Sequence, residues 1–261
     1  MSSPLLKIFS RLSNLYLRRY QIKDPSASDV YLVSYPKSGN TWLSFLIANC
    51  NISLLDSSLR VTWFNIHSLV PDVHLSRSSP APTCLSNSLH HRFIKSHSTL
   101  NPHYASVIYL SRHPVDTLAS YYRMTRQLGH HTLTPSQFIR HRRFGVHSWA
   151  KHVISWFTQS DPGVSFHHVR YEDLVLNAFR QLSLIYDSLG YSLHPDCIQQ
   201  SIYNSNFSSM KHLETSQGYG GRPVSNYFTF VGSKTDLSYY FSENDVKYIL
   251  DSTVYARTLI S

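Results

Sequence analysis

The sequence predicts an α/β fold, a single domain over residues 1–261 with a central parallel sheet flanked by helices. Two observations lead there. Short apolar runs ending in a turn are each followed by a segment of helical periodicity, and this unit recurs along the chain. Repetition of strand then helix favours parallel strands covered on both faces. No internal repeat or linker-like stretch divides the sequence, and 261 residues with 42% hydrophobic content suffice for one sizeable core.

Near the N-terminus, Leu5, Leu6, Ile8, Phe9, Leu12, Leu15, Tyr16 and Leu17 are interrupted or flanked by Lys7, Arg11, Arg18 and Arg19. This predicts an amphipathic helix over 5–19, packed on the domain, with membrane-surface contact as the alternative. It has no unbroken apolar stretch for a secretory leader and too much charge to span a bilayer. Residues 30–35 read as a buried strand, broken from Pro36 to Gly39. Thr41, Trp42, Leu43, Phe45, Leu46 and Ile47 then begin a helix.

Residues 71–90, rich in Pro and Ser, read as a loop region that forms part of a pocket wall. His91 to Lys95 read as a short strand entering a loop at Ser96-His97. Val107 to Leu110 form the next strand, Ser111 to Pro114 the turn, and Asp116 to Met124 a helix. Val164 to Val169 read as another strand, followed by a helix over 173–189 that Gly190 ends. Residues 194–213 read as largely helical and 216–234 as a long loop. A last helix covers 242–250, with Ser242 as its N-cap.

Three segments carry the chemistry. In Tyr35-Pro36-Lys37-Ser38-Gly39-Asn40-Thr41-Trp42, a tight loop joins a strand to a helix, and the free N–H groups of a helix start favour an anion. Gly39 permits the turn, Lys37 brings positive charge, and Ser38, Asn40 and Thr41 bring side-chain donors for phosphate oxygens. Trp42 offers an aromatic surface to a purine. The pattern differs from the nucleotide-hydrolase loop, in which lysine follows the second glycine.

The second segment runs from Ile108 through Arg112 and Asp116 to Ser120-Tyr121-Tyr122. Arg112 at a strand end suits a forked phosphate contact; the alternative is a surface pair with Asp116. The third is Phe93-Ile94-Lys95-Ser96-His97, in which a lone histidine is ordinarily structural.

Taken together, these segments resemble the cytosolic-type, small-molecule sulfotransferases. Residues 35–42 are similar to the family's 5′-phosphosulfate loop Y-P-K-S-G-T-T-W, with Asn40 where threonine is usual. Residues 108–122 are similar to its 3′-phosphate element, and Lys95-Ser96-His97 to its K-T-H segment. The resemblance implies a P-loop-like sulfotransferase fold and 3′-phosphoadenosine-5′-phosphosulfate (PAPS) as sulfuryl donor. It further implies a small-molecule hydroxyl acceptor and a metal-free in-line transfer giving 3′-phosphoadenosine 5′-phosphate (PAP) and a sulfate ester.

By resemblance, His97 is the general base, Lys37 neutralises the departing phosphate, and Lys95 holds oxygens of the transferring group. Arg112 and Ser120 take the 3′-phosphate, Tyr171 of Tyr171-Glu172-Asp173-Leu174 lies near the adenine, and Phe207 stacks on it beside Met210.

The sequence departs from the family in two places. Ser98-Thr99 follow His97 where Leu-Pro is frequent. Gln217 and Gly218 stand where an Arg-Lys pair normally holds the 3′-phosphate, while Asn226, Phe228 and Thr229 keep the end of that motif. Arg222 is the candidate replacement, with Lys211 a second. Trp63, Phe64, His67, Tyr121 and Tyr203 are candidates for the acceptor wall. The family's C-terminal dimer motif is absent, which leaves the oligomeric state open.

Composition fits this reading. Lys and Arg number 24 against 15 Asp and Glu, a net charge of +9 that suits a polyanionic ligand. No dense basic run or zinc-finger spacing points to nucleic acid. Three dispersed cysteines, Cys50, Cys84 and Cys197, form no metal or disulfide framework and favour a reducing, cytoplasmic location. None of the sixteen histidines shows an H-E-x-x-H pattern, so no catalytic metal is expected. The lack of secretory processing signals suits an enzyme of secondary metabolism. A kinase or hydrolase with an unusual loop would need magnesium ligands. A binding protein without chemistry would not need both Lys37 and His97.

Overall fold

The computed structural model describes residues 25–55, 59–75, 91–158, 163–217 and 240–261. The amphipathic stretch 5–19, residues 76–90, and the loop of 218–234 with Arg222 lie outside the described residues.

Among the described residues, four strands form the sheet: β1 (Asp29–Val33), β2 (Arg92–Ser96), β3 (Ser106–Ser111) and β4 (Ser165–Arg170). All pair in parallel, in the order β2-β1-β3-β4, with Val33 opposite Ser96 and Ser111 opposite Arg170. Alternate residues of the strands serve two separate cores. Val30, Leu32, Phe93, Ile108, Leu110 and Val169 join one; Tyr31, Val33, Ile94, Val107 and Tyr109 join the other, with Tyr104 and Trp156. The inner strands are therefore continuously apolar, because both faces are covered. At the start of the sheet, Arg92 Nε meets Asp29 Oδ1 at 2.6 Å across registered residues of β1 and β2.

Helix α1 (Asn40–Leu55) follows β1. Leu43, Phe45, Leu46, Ile47, Ala48 and Cys50 are all within 1% of full burial. Residues on several faces of the helix are thus withdrawn from water, and each large apolar side chain contributes about 2 kcal/mol. A one-turn helix, α2 (Ile66–Leu69), follows. After β3 come α3 (Pro114–Gln127), α4 (Pro135–Arg140) and α5 (Val146–Phe157). Thr134 and Gln137 form a reciprocal capping box at the start of α4.

After β4 the expected helix over 173–189 is two helices, α6 (Tyr171–Leu176) and α7 (Ala178–Ser188). Asn177 separates them: its side chain accepts the Arg180 N–H at 2.9 Å and starts the second helix as its cap. The expected stretch 194–213 also divides, into α8 (Pro195–Asn204) and α9 (Phe207–Gln217). There Asn206 Oδ1 accepts the Ser209 N–H at 2.8 Å. Gly190 sits at φ +87° after α7, as its place in the sequence predicts. Helices α10 (Glu243–Ser252), with Ser242 capping Asp245 N–H, and α11 (Val254–Leu259) complete the chain. Among the described residues, no helix is long and apolar enough to cross a membrane.

Candidate active site

The chemistry-bearing segments all lie at the carboxyl ends of the strands. Lys37 to Trp42 follow β1, Lys95 to His97 end β2, Arg112 follows β3, and Tyr171 follows β4. Neighbouring β1 and β3 send the chain toward opposite edges of the sheet, since β1 leads to β2 and β3 leads to β4. The loops after them therefore diverge and open a crevice, the place where parallel α/β sheets bind ligands.

The loop after β1 is tightly wound. Lys37 adopts φ +71°, the left-handed region that a non-glycine residue enters at a cost, and Gly39 adopts φ +103°. Ser38 donates its N–H to Tyr35 O at 3.2 Å. Its hydroxyl, in a residue 1% exposed, is buried with no hydrogen-bond partner among the described residues. Burial, followed by the charges of Arg123, Lys95 and Arg112, pulls the Lys37 ammonium down to about 7, against a smaller opposing pull from Glu214.

Asn40 corrects one expectation. Its amide does not face an incoming anion: Nδ2 lies 2.8 Å from Leu32 O and 3.1 Å from Ser34 Oγ, tying the loop back to β1. What Asn40 can offer a phosphate is its place in the first turn of α1. Thr41, the next residue of that turn, is half-buried. Trp42 donates Nε1–H to Ser205 O at 2.8 Å, which fixes α1 to the segment that leads into Phe207.

Arg112, Tyr171, Trp42 and Gly39 form one cluster. The Arg112 guanidinium lies 4.3 Å over the Tyr171 ring, and the Trp42 ring meets that ring edge-on at 5.9 Å. A Cβ on Gly39 would stand 2.5 Å from Tyr171 Cδ2, so glycine is required there twice, for its φ and for this ring. Arg112 is 9% exposed, and its Nε has no hydrogen-bond partner among the described residues. Ser120 is 3% exposed on the inner side of α3. Phe207 opens α9 at 37% exposure, with the Lys211 ammonium 5.9 Å from its ring centre and Met210 buried one turn on. Buried polar groups are costly without partners. Unsatisfied donors at Ser38 and Arg112, beside Lys37, suit an anion carrying phosphate at two points.

Strand β2 supplies the other half. His97 Nδ1 lies 2.8 Å from Ser34 O, a carbonyl that can only accept, so Nδ1 carries the proton and Nε2 keeps its lone pair. Burial, then the neighbouring Lys95 charge, holds the His97 imidazole well below its usual range. The loop after it, where the family's Leu-Pro is missing, is fixed by polar contacts. Ser98 N–H donates to Ser96 Oγ at 3.2 Å, Trp156 Nε1–H to Ser98 O at 3.0 Å, and Leu100 N–H to Ser155 Oγ at 3.1 Å. Helix α5 thus sets the path of the histidine loop.

Lys95 Nζ lies 3.2 Å from Asp72 Oδ2, with both side chains at most 10% exposed. Asp72 carries no motif in the sequence and stands in a Pro/Ser-rich stretch without periodicity. Arg123 and Glu214, whose charges reach Lys37, are likewise not marked by any motif. Among the described residues, no group of three or more His, Cys, Asp and Glu is arranged to hold a metal.

The expected acceptor wall is placed unevenly. Trp63 is 1% exposed and packs on Phe45 at 4.7 Å, so it belongs to the core and not to a pocket wall. Phe64 and Tyr203 are exposed, and Tyr121 packs edge-on against Tyr35 and Phe138. His67 is close enough to Lys95 and Asp72 to feel both charges. A separate cleft of about 510 Å³, lined by residues including Ser111, His113, Arg170 and Arg257, contains none of Lys37, Lys95, His97 or Arg112.

Comparison with known proteins shows the family and the fold. Residues 27–222 match the sulfotransferase domain family. Sulfotransferase 1A1 of Mus musculus is 24% identical over 260 residues, covering 91% of this chain and 81% of the relative. Sulfotransferase 2A6 of Mus musculus is 27% identical over 208 residues, covering 74% and 69%. Among solved structures, retinol dehydratase in a complex with retinol and PAP superposes with a TM-score of 0.66 at 21% identity, covering 93% of this chain and 85% of the other. Mouse sulfotransferase SULT7A1 complexed with PAP gives 0.63 at 19% identity, covering 95% and 92%.

Proposed function

This chain belongs to the sulfotransferase family, and we propose that it transfers the sulfuryl group of PAPS to a hydroxyl of a small-molecule acceptor. The observation that carries the reading is the convergence of four strand ends on one crevice, with the phosphate loop, Lys95, His97, Arg112 and Tyr171 around it. The PAP bound to two of the similar solved structures supports the same donor.

The residues divide the work. Ser38, the first turn of α1 and Lys37 receive the 5′ end of the donor; Arg112 and Ser120 receive the 3′-phosphate. Tyr171, Trp42 and Phe207 supply aromatic surface for the adenine; Arg222, outside the described residues, is the sequence's candidate for the missing Arg-Lys pair. His97 Nε2 takes the proton of the acceptor hydroxyl. The acceptor oxygen forms its bond to sulfur as the bond from sulfur to the bridging phosphate oxygen breaks. The electron pair of that bond leaves with PAP, whose charge Lys37 neutralises, while Lys95 meets the sulfuryl oxygens. The products are a sulfate ester and PAP, with the proton on His97.

The test is a screen of hydroxyl compounds with PAPS, read by the mass gain of a sulfuryl group and by release of PAP. Sulfated product that depends on Lys37 and His97 is expected. Binding of PAP without transfer to any hydroxyl compound would leave a donor-binding protein and overturn the enzymatic reading.

A further inference from the structure

The buried carboxylate of Asp72 has no part in the transfer described above, yet it contacts the group that meets the sulfuryl oxygens. Residues 71–74 run along the outer edge of β2. Lys95 N–H donates to Pro71 O at 2.7 Å, Val73 N–H donates to Lys95 O at 3.0 Å, and Asp72 and Lys95 pair as in a parallel bridge. Asp72 is 5% exposed; its Oδ2 is 3.2 Å from Lys95 Nζ, and its Oδ1 accepts the His74 N–H at 2.9 Å. His74 in turn accepts the His97 N–H on Nε2 at 3.0 Å, and the two imidazole rings stack at 5.8 Å. One short segment therefore grips Lys95 by its main chain and its ammonium, and His97 by its main chain.

From this geometry we infer that Asp72 is a positioning residue for the transfer, holding the Lys95 ammonium at a fixed place beside His97. The inference rests on the proposed role of Lys95 toward the sulfuryl group. The pair lies in a cationic region, since Lys95 acts electrostatically on Lys37, His67, His74 and His97. Burial alone would push the Asp72 carboxyl up, but Lys95, His97 and the His74 N–H hold it below the usual carboxylate range, so it stays ionised. A long lysine side chain has many rotamers, and repulsion from Lys37 favours those that carry the ammonium away. A fixed carboxylate removes that freedom before the donor arrives. Donor affinity, which depends on the phosphate loop and Arg112, should be nearly indifferent to Asp72.

The test uses Asp72→Asn, Asp72→Glu, Lys95→Ala and the double variant Asp72→Asn/Lys95→Ala, with PAPS and 4-nitrophenol as substrates. Asp72→Asn should lower kcat at least tenfold, with the KM for PAPS and the thermal shift from PAP changed less than twofold. Asp72→Glu should restore part of kcat. In the Lys95→Ala background, Asp72→Asn should cost nothing further, because it acts through a group already removed. An acceptor-independent readout is trace acetylation of Lys95 by acetic anhydride, followed by peptide mass spectrometry; it should accelerate at least threefold in Asp72→Asn. Equal losses of kcat with and without Lys95, unchanged acetylation of Lys95, or parallel loss of the PAP shift would each overturn the inference. A wild-type protein that PAP does not stabilise would overturn the donor reading, and acetylation would still decide the Asp72–Lys95 pair.

Discussion

The guanidinium of Arg112 stands 4.3 Å over the ring of Tyr171, so the ends of β3 and β4 are joined by a cation–π contact inside the crevice. The contact holds the guanidinium over the ring while its Nε lacks a hydrogen-bond partner among the described residues. An arginine oriented by an aromatic face and still able to donate is prepared for a phosphate. PAP should therefore stabilise the protein more than adenosine 5′-phosphate does. Arg112→Ala should reduce PAP affinity about tenfold or more, the loss of about 1.4 kcal/mol, and narrow the gap between the two thermal shifts. Equal shifts from both nucleotides in the parent protein would refute the assignment.

Gly39→Ala should cost about 2 kcal/mol of stability, from the positive φ and from the Cβ that would press on Tyr171. Chemical denaturation measures the stability and calorimetry the loss of PAP binding. A variant as stable and as tightly binding as the parent would show that the loop relaxes freely.

Lys37 makes a calorimetric prediction. Its ammonium, lowered to about 7, carries only part of its charge near neutrality in the donor-free protein. An arriving dianion favours the protonated form, so binding of PAP near pH 7 should take up a fraction of a proton, and affinity should fall as pH rises above 7. Titrations in buffers of different ionisation enthalpy will show the uptake, and Lys37→Arg should abolish it. Buffer-independent heats in the parent protein would contradict the placement of Lys37.

His97→Ala should leave PAP binding nearly intact and reduce turnover of an aliphatic alcohol about 100-fold or more, the scale of general-base removal. A base at His97 would work unprotonated, so activity should be lost as pH falls through the His97 value. Burial and Lys95 place that value below the usual histidine range. The acidic limb of kcat/KM should accordingly lie below pH 6.5 and be missing from the variant. A limb at or above 6.5 would point to a different group.

Buried histidines also tie stability to pH. His152, 3% exposed with Nδ1 at 2.9 Å from Tyr109 OH, and His168, at 2.8 Å from Ser111 Oγ, are each lowered to about 4, chiefly by burial. The unfolded chain binds their protons first, so stability is full above about 6.5 and declines as pH falls toward 4. His152 alone should account for up to about 3 kcal/mol of that decline. Thermal melts from pH 7 to 4 will follow it; a flat melting temperature across that range would be the contrary result.

Strand-then-helix punctuation places the four strands of the described residues to within one or two residues, because each inner strand is an apolar run ended by a turn. The breaks at Asn177 and at Ser205-Asn206 were missed. Helical periodicity continues across them, and only an asparagine cap marks the new start. Helix α5 carries a signal in the sequence: Val146, Trp149, Val153 and Trp156 follow helical spacing and are all buried. At the site, Lys37, Lys95, His97, Arg112 and Tyr171 could be named because they lie inside local motifs. Asp72 could not, since its partner Lys95 is distant in sequence and the pairing exists only where the chain returns along β2. For Asn40 the sequence shows a donor but not the direction in which it points, and the amide turns back to Leu32 O.

The crevice draws one contribution from each of four parallel strands, in an order that differs from their order along the chain. Such strands cannot pair with their neighbours in sequence by a simple hairpin, and every contact between them closes a long stretch of chain. The phosphate loop and the histidine loop therefore meet only after β1 and β2 are in register, and Arg112 and Tyr171 meet only after β3 and β4 are. Assembly of the binding groups and completion of the sheet are one event. Residues 1–130, expressed alone, would carry β1, β2 and β3 with Lys37, Lys95, His97 and Arg112, yet lack β4 and the Tyr171 ring under the Arg112 guanidinium. Recovery of donor binding during refolding should therefore track formation of the whole sheet.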